Sequence, residues 1–435
     1  MNIEFYTTTL WVAVIWPLLL SIPSLHNRLP WPRHLAIIPA VILTVTPIDV
    51  SINIPWLLYG TGFAIDGNVR WILGAFVVIW FATVSITLPS NKKSPFSSTL
   101  YLLTLTGSLG ALLTTDLVGF FSFSTLMGYG FYGLLRQNAN KIQQRTARLY
   151  LYFLIIADLA LFEALLLVAF TTQHFQFEVA RQAMSDISSS PVYLYMVLLG
   201  FMLKAGIWPF YIWLTAAFNS GTRTIALLLI ASPVTISMFG LLRWLPVRDD
   251  IYITGMVMQL LGVAAILHAV LKIFTRLIFK QGLFRHGMVY FTGAWLIIAL
   301  TGLFSLILGT ALLNPTLWQQ YVYLVYPFIA VTSMTLTILI LVAGKTHRKP
   351  ESTDDAFILI NKLFYKLKKW HQTTQQLASQ LKLTVQSLWN NSGSLVSRLF
   401  QQVLNNQKSK SFVISWKINI TLFLILGLAI TWLAI

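Results

Sequence analysis

The sequence has no cysteine among its 435 residues. Disulfides, iron–sulfur clusters and thiolate metal sites are therefore excluded within this chain. Charge is scarce too, at 10% of residues, where a soluble domain carries about a quarter. Acids are scarcest, with 13 Asp and Glu against 30 Lys and Arg. The seven histidines are scattered without metal-ligand spacing, so no metal site is expected. No nicotinamide, flavin or quinone motif is present, so no cofactor and no redox centre are expected.

What the sequence has in quantity is apolar surface. Hydrophobic residues make up 57% and the mean hydropathy is +0.73. That composition predicts an all-α polytopic membrane protein. The net charge of +17 could suggest nucleic acid. The basic residues instead cluster in short loops between apolar runs, as the positive-inside rule requires, so no nucleic-acid partner is expected.

Apolar runs long enough to span a bilayer fall near residues 7–23, 34–50, 71–88, 98–114, 117–135, 147–171, 192–214, 224–245, 253–274, 287–312, 323–343 and 412–434. They predict about twelve transmembrane helices. The first has no basic segment before it and ends at Pro23, so it reads as a retained span and not a cleaved signal. Basic residues follow odd-numbered runs: His26, Arg28 and Arg33, then Lys92 and Lys93, then Arg136, Lys141 and Arg145, then Arg276, Lys280 and Arg285. Loops after even-numbered runs hold acids, among them Asp49, Asp66, Asp116, Glu178, Asp249 and Asp250. The alternation puts the basic loops in the cytoplasm and both termini outside it. An integral protein of a bacterial inner membrane is expected.

Residues 351–410 break the pattern. Ser352 and Asp355 form a helix-start signal. Apolar residues then recur at helical spacing from Ile360 to Leu388 and resume at Leu395, with Lys362, Lys366, Lys369 and a row of glutamines opposite. This predicts a cytoplasmic amphipathic helix that lies along the membrane and contacts lipid or a neighbouring subunit. A final span from Phe412 to Ala434 anchors it.

One charge stands in the middle of a long apolar run. Lys204 follows more than ten almost unbroken apolar residues, and Pro209 comes five residues later. A proline there removes a backbone hydrogen bond and breaks the seventh helix. A lysine at mid-membrane depth either lines an ion path or snorkels to the headgroups. The sixth run supplies two acids, Asp158 and Glu163, that could pair with it. They lie five residues apart, about 140° around a helix, so they cannot easily share one partner. The pair could equally be a structural staple between two helices. His268 and Lys272 share one face near the end of the ninth run, close enough to the basic loop to snorkel.

Lys204-Ala-Gly-Ile-Trp-Pro-Phe-Tyr-Ile-Trp-Leu214 resembles the broken seventh helix of the antiporter-like membrane subunits. These occur in respiratory complex I, Mrp-type cation/proton antiporters, membrane-bound hydrogenases and the DAB inorganic-carbon pumps. The family pattern is Lys-Ser-Ala-x-x-Pro, then Phe or Leu, then His-x-Trp-Leu. Lys204, Pro209, Phe210, Trp213 and Leu214 match it. Asp116, Phe120, Phe121, Phe123, Leu126, Met127 and Gly128 resemble the fifth helix, and Asp158 the sixth-helix aspartate. The resemblance divides the chain into N-terminal helices (1–115), a core repeat (116–245), a degenerate second repeat (246–345), a lateral helix (346–411) and an anchor (412–435).

The departures are specific. Thr125, preceded by Ser124, stands where the family carries a glutamate that pairs with the lysine. Leu229 stands at the position of an eighth-helix histidine, and Tyr323 to Leu341 carries no charge where the second repeat has its own lysine. The resemblance implies a non-redox, proton-translocating subunit of a larger complex. Its path would run through Lys204, Asp158, Glu163, Lys272 and His268, with the helix broken at Pro209. Two placements remain open: an NADH dehydrogenase or Mrp-like assembly, or a DAB-type pump whose soluble partner carries zinc. The short length and single half-channel lean to the pump. A structural scaffold with a dead ion path is the alternative.

Overall fold

The computed structural model describes residues 3–342, apart from residues 27, 30, 47–48, 87–94, 138–140, 173, 187–189, 221, 247–250 and 280–287. The expected lateral helix (346–411) and final anchor (412–435) lie outside the described residues.

The described chain is a helix bundle. The N-terminal part holds α1 (Ile3–Leu20), three short helices α2 (Pro23–His26), α3 (Pro32–Leu35) and α4 (Ile38–Thr44), and a hairpin of β1 (Val50–Asn53) and β2 (Gly62–Ile65). The core follows with α5 (Gly67–Ile86), α6 (Pro95–Leu113), α7 (Leu117–Arg136), α8 (Lys141–Thr171), α9 (Phe177–Asp186), α10 (Ser190–Ala205) and α11 (Ile212–Ser220). Then come α12 (Arg223–Leu229), a π-helical turn (Ile230–Val234) and α13 (Thr235–Trp244), which together form one span. The last are α14 (Tyr252–Phe279), α15 (Met288–Leu313), α16 (Pro315–Tyr321) and α17 (Val325–Val342).

Seven of these helices are long and apolar enough to cross a membrane. Four shorter apolar stretches, Glu4–Leu20, Pro32–Thr44, Ser98–Leu113 and Pro191–Ala205, fall on the remaining runs before residue 343. The bundle exterior is correspondingly apolar. Phe81, Tyr152, Leu159, Leu260 and Leu271 are all more than half exposed, a surface that water would not tolerate but lipid does. The chain is an integral membrane protein.

The second run, read as a span over 34–50, is corrected. Its helical part ends at Thr44, and Val50 already belongs to β1, which pairs antiparallel with β2. Hydropathy averages composition and is blind to helix continuity. Here Pro32 and Pro39 each start a new helix, because proline suits a first turn and not an interior.

The hairpin sits at one end of the bundle, where the acidic loops meet. Thr115 N–H donates to the Gly62 carbonyl (3.0 Å) and Leu117 N–H to the Phe175 carbonyl (2.8 Å). Arg243 reaches Asp66 (3.2 Å). Asp116 caps α7 by accepting the Gly119 N–H (2.7 Å) and also takes the Gly62 N–H (3.3 Å). Burial raises the pKa of this carboxyl, and these hydrogen bonds oppose the rise. These segments follow even-numbered runs, and Arg243 sits in the last turn of the eighth. Segments that follow odd-numbered runs also meet, as where Arg33 donates to Ser98 (2.9 Å) and lies over the Tyr101 ring. The three-dimensional grouping agrees with the charge alternation.

Candidate functional site

Three helices converge on Lys204. The lysine is in the last turn of α10 and is 4% exposed. Its Nζ lies 2.6 Å from Asp158 Oδ1 on α8 and donates to Ser124 Oγ on α7 at 3.1 Å. Asp158 and Ser124 are buried as well. The end of a helix carries partial negative charge, so α10 itself favours an ammonium at that position.

The close approach of α8 and α10 needs a glycine. A Cβ on Gly200 would lie 2.5 Å from Leu161 Cγ and 3.1 Å from the Ala157 carbonyl oxygen. With hydrogen alone at that position, the α10 backbone comes down on α8 one turn before Lys204. Asp158 follows Ala157 directly, which puts its carboxylate at the ammonium.

The helix break is built around the same turn. α10 ends at Ala205, Gly206 adopts φ +66°, the Trp208–Pro209 peptide is cis, and helix resumes at Ile212. A left-handed residue after a helix end is a common stop, and glycine adopts it freely. The break leaves carbonyls without their intrahelical donors. Ile207 N–H donates to the Met202 carbonyl (3.0 Å), and the Trp213 indole N–H donates to that of Leu203 (2.8 Å). Trp213 is fully buried, its ring 4.9 Å from that of Tyr150. Trp213→Phe leaves the Leu203 carbonyl buried and without its donor. We expect a loss of about 1–3 kcal/mol, measured as a lower melting temperature of the purified chain. Unchanged stability would mean that another donor replaces the indole.

The sequence-predicted residues separate. Asp158 pairs with Lys204. Glu163 does not: it is exposed on the outer face of α8 with no partner among the described residues. The 140° offset placed the two acids on different sides, and packing against Gly200 selects Asp158. His268 Nε2 lies 3.2 Å from the Tyr211 hydroxyl, within the helix break. Lys272, one turn on, is exposed with Nζ 5.9 Å from the centre of the Trp295 ring. His268 is thus held by a phenol and is not simply snorkelling.

Several polar contacts were not foreseen. In the sequence Ser124 is only the neighbour of Thr125, yet its hydroxyl touches the lysine, while Thr125 Oγ1 is buried without a hydrogen-bond partner among the described residues. Ser108 donates to Ser232 (3.1 Å), and Thr235 pairs with Ser333 (2.9 Å). Ser232 lies within the π-helical turn and Thr235 directly after it, where Thr235 also donates to the Ile230 carbonyl (2.7 Å). Serines and threonines in apolar runs give no warning of such pairings, because they satisfy their own helix equally well.

The site is thus a buried lysine–aspartate pair at a broken helix of a membrane-embedded bundle. The family model described as NADH:quinone oxidoreductase/Mrp antiporter, transmembrane, matches residues 74–311. That is more than half of the chain, and the chain belongs to this family. It is similar to the Na(+)/H(+) antiporter subunit A1 of Staphylococcus aureus (strain JH9), with 26% identity over 184 residues. The match spans 40% of this chain and only 22% of that relative. Two solved structures share the fold. One is the Mrp complex from Dietzia sp. DQ12-45-1b, with TM-score 0.61 and 18% identity over 78% of this chain and 37% of that one. The other is the archaeal membrane-bound sulfane sulfur reductase, a respiratory membrane complex, with TM-score 0.56 and 13% identity over 83% of this chain and 95% of that one.

Proposed function

We propose that this chain is a non-redox, ion-translocating membrane subunit of an Mrp-like or complex I-like assembly, with Lys204 as the titrating residue. The observation that carries the reading is the buried contact of Lys204 with Asp158, at the end of a helix broken in mid-membrane. While Asp158 is in contact, the ammonium is compensated and stays protonated. When α8 and α10 separate, the charge loses its partner in a low-dielectric site and the lysine releases its proton. Ser124 then holds the neutral amine in place. One feature favours motion over a fixed staple: neither carboxylate oxygen of Asp158 makes a hydrogen bond of good geometry with the described residues, although Oδ1 lies 2.6 Å from Lys204 Nζ. A well-satisfied buried pair would be hydrogen-bonded at both oxygens.

Tyr211 and His268 continue the polar line past the break, toward the end of α14 that carries Lys272. Glu163 has no place in this path. The similarity to an Na(+)/H(+) antiporter subunit and to the Mrp fold supports the antiporter placement over the carbon pump with its zinc-containing partner. A readout in proteoliposomes tests the proposal. Lys204→Met in the purified assembly is expected to abolish coupled proton flux with all subunits retained. Undiminished flux would leave this chain as a scaffold. Tyr211→Phe and His268→Ala are expected to slow the flux without abolishing it, and identical rates in both would remove them from the path.

A further inference from the structure

Beyond Arg148, the exposed face of α8 carries one charged side chain in an otherwise apolar stripe. Glu163 is surrounded by exposed Leu159, Phe162 and Leu166, with Ile155 and Ile156 about two turns back. Its depth follows from helix geometry. Arg148 lies fifteen residues before it and Thr171 eight residues after. At 1.5 Å per residue these are about 22 Å and about 12 Å along the axis. The carboxylate therefore lies within the hydrocarbon layer, too deep for its short side chain to reach the headgroups. Ionisable groups at such depth normally face the bundle interior or a partner. Asp158 obeys that rule by pairing with Lys204. Glu163 points the other way and has no partner among the described residues.

We propose that this face docks a transmembrane helix of a partner subunit that presents a lysine, arginine or histidine to Glu163. The aliphatic and aromatic residues around it offer the packing surface, and the carboxylate dictates the sign of the partner. A lipid amine is the wrong occupant, because headgroups do not descend to this depth. The inference rests on the chain being one subunit of an assembly. Its readout is assembly and not flux, so it fails separately from the transport proposal.

Photocrosslinking residues placed at Leu159 and Leu166 of the full chain, in native membranes, test it. The expected product is an adduct with a transmembrane segment of another subunit that carries a basic residue within one turn of the attachment point. Adducts with lipid alone, with a second copy of this chain, or with a helix that lacks a basic residue would overturn it. Glu163→Lys is expected to cause loss of that subunit from the purified assembly, and Glu163→Gln partial loss. Exchanging the partner's basic residue for glutamate should restore assembly with Glu163→Lys. Full subunit recovery in both Glu163 variants counts against the proposal. If Glu163→Lys does not insert, the crosslinks formed with the native carboxylate in place decide the question.

Discussion

Lys204→Met and Asp158→Leu are each expected to destabilise the chain by on the order of 3 kcal/mol, and the double variant to recover most of that loss without recovering transport. Breaking a buried ion pair leaves one charge uncompensated, which is the expensive outcome. In a bilayer the cost is at the lower end, because the unfolded reference state also finds polar partners. Replacing both members with apolar residues of similar volume removes the desolvation cost together with the attraction, so the net change is small. The surroundings favour such a replacement: Phe201, Leu203, Ala157 and Leu161 are all buried around the pair. Melting of the purified chain measures the stability side of the cycle, and proton flux in proteoliposomes measures the other. A pair that only staples α8 to α10 would give a double variant that is both stable and active. A pair that carries the ion would give one that is stable and silent. A destabilised double variant with intact flux would defeat both accounts.

Lys204 was legible in the sequence because nothing around it is polar, and Pro209 marked the break for the same reason. Asp158 and Glu163 were both visible as acids, and helical spacing separated their directions. Which of them meets the lysine depended on Gly200, whose missing Cβ sets how close α10 lies to α8. That is a property of two helices, and no single run contains it. The second span failed differently. Alternation over Val50–Asn53 is short, and its partner Gly62–Ile65 lies across a turn, so an apolar average absorbed it. His268 was read with Lys272 because both lie on one face of one helix. Its bond to Tyr211 spans 57 residues, and hydropathy carries no long-range information. Tyr211 stands where the family pattern has a histidine, which was the one available hint that a ring nitrogen belongs near the break.

Ser124→Asp in an Asp158→Asn background is expected to move the acid from α8 to α7 and restore part of both stability and flux. The family keeps its acid on the fifth helix, at the position of Thr125. Here Ser124, not Thr125, contacts Lys204, with Oγ 3.1 Å from Nζ. An aspartate at residue 124 has a carboxyl carbon where the serine has its hydroxyl, so its oxygens fall within reach of the ammonium after a small adjustment. Residue 125 lies about 100° further around α7, so Thr125→Glu in the same background should rescue less. Ser124→Asp alone puts two carboxylates against one lysine. Like charges at that distance cannot both ionise comfortably, and one takes up a proton. That variant should be stable but slowed, because the ammonium then keeps one of its two acidic partners whenever the other moves away. Rescue by Thr125→Glu without rescue by Ser124→Asp would mean that the working conformation rotates α7 away from the one described. Rescue by neither would mean that transport depends on an acid on α8 specifically, and the moving part would then be α8 and not the charge it carries.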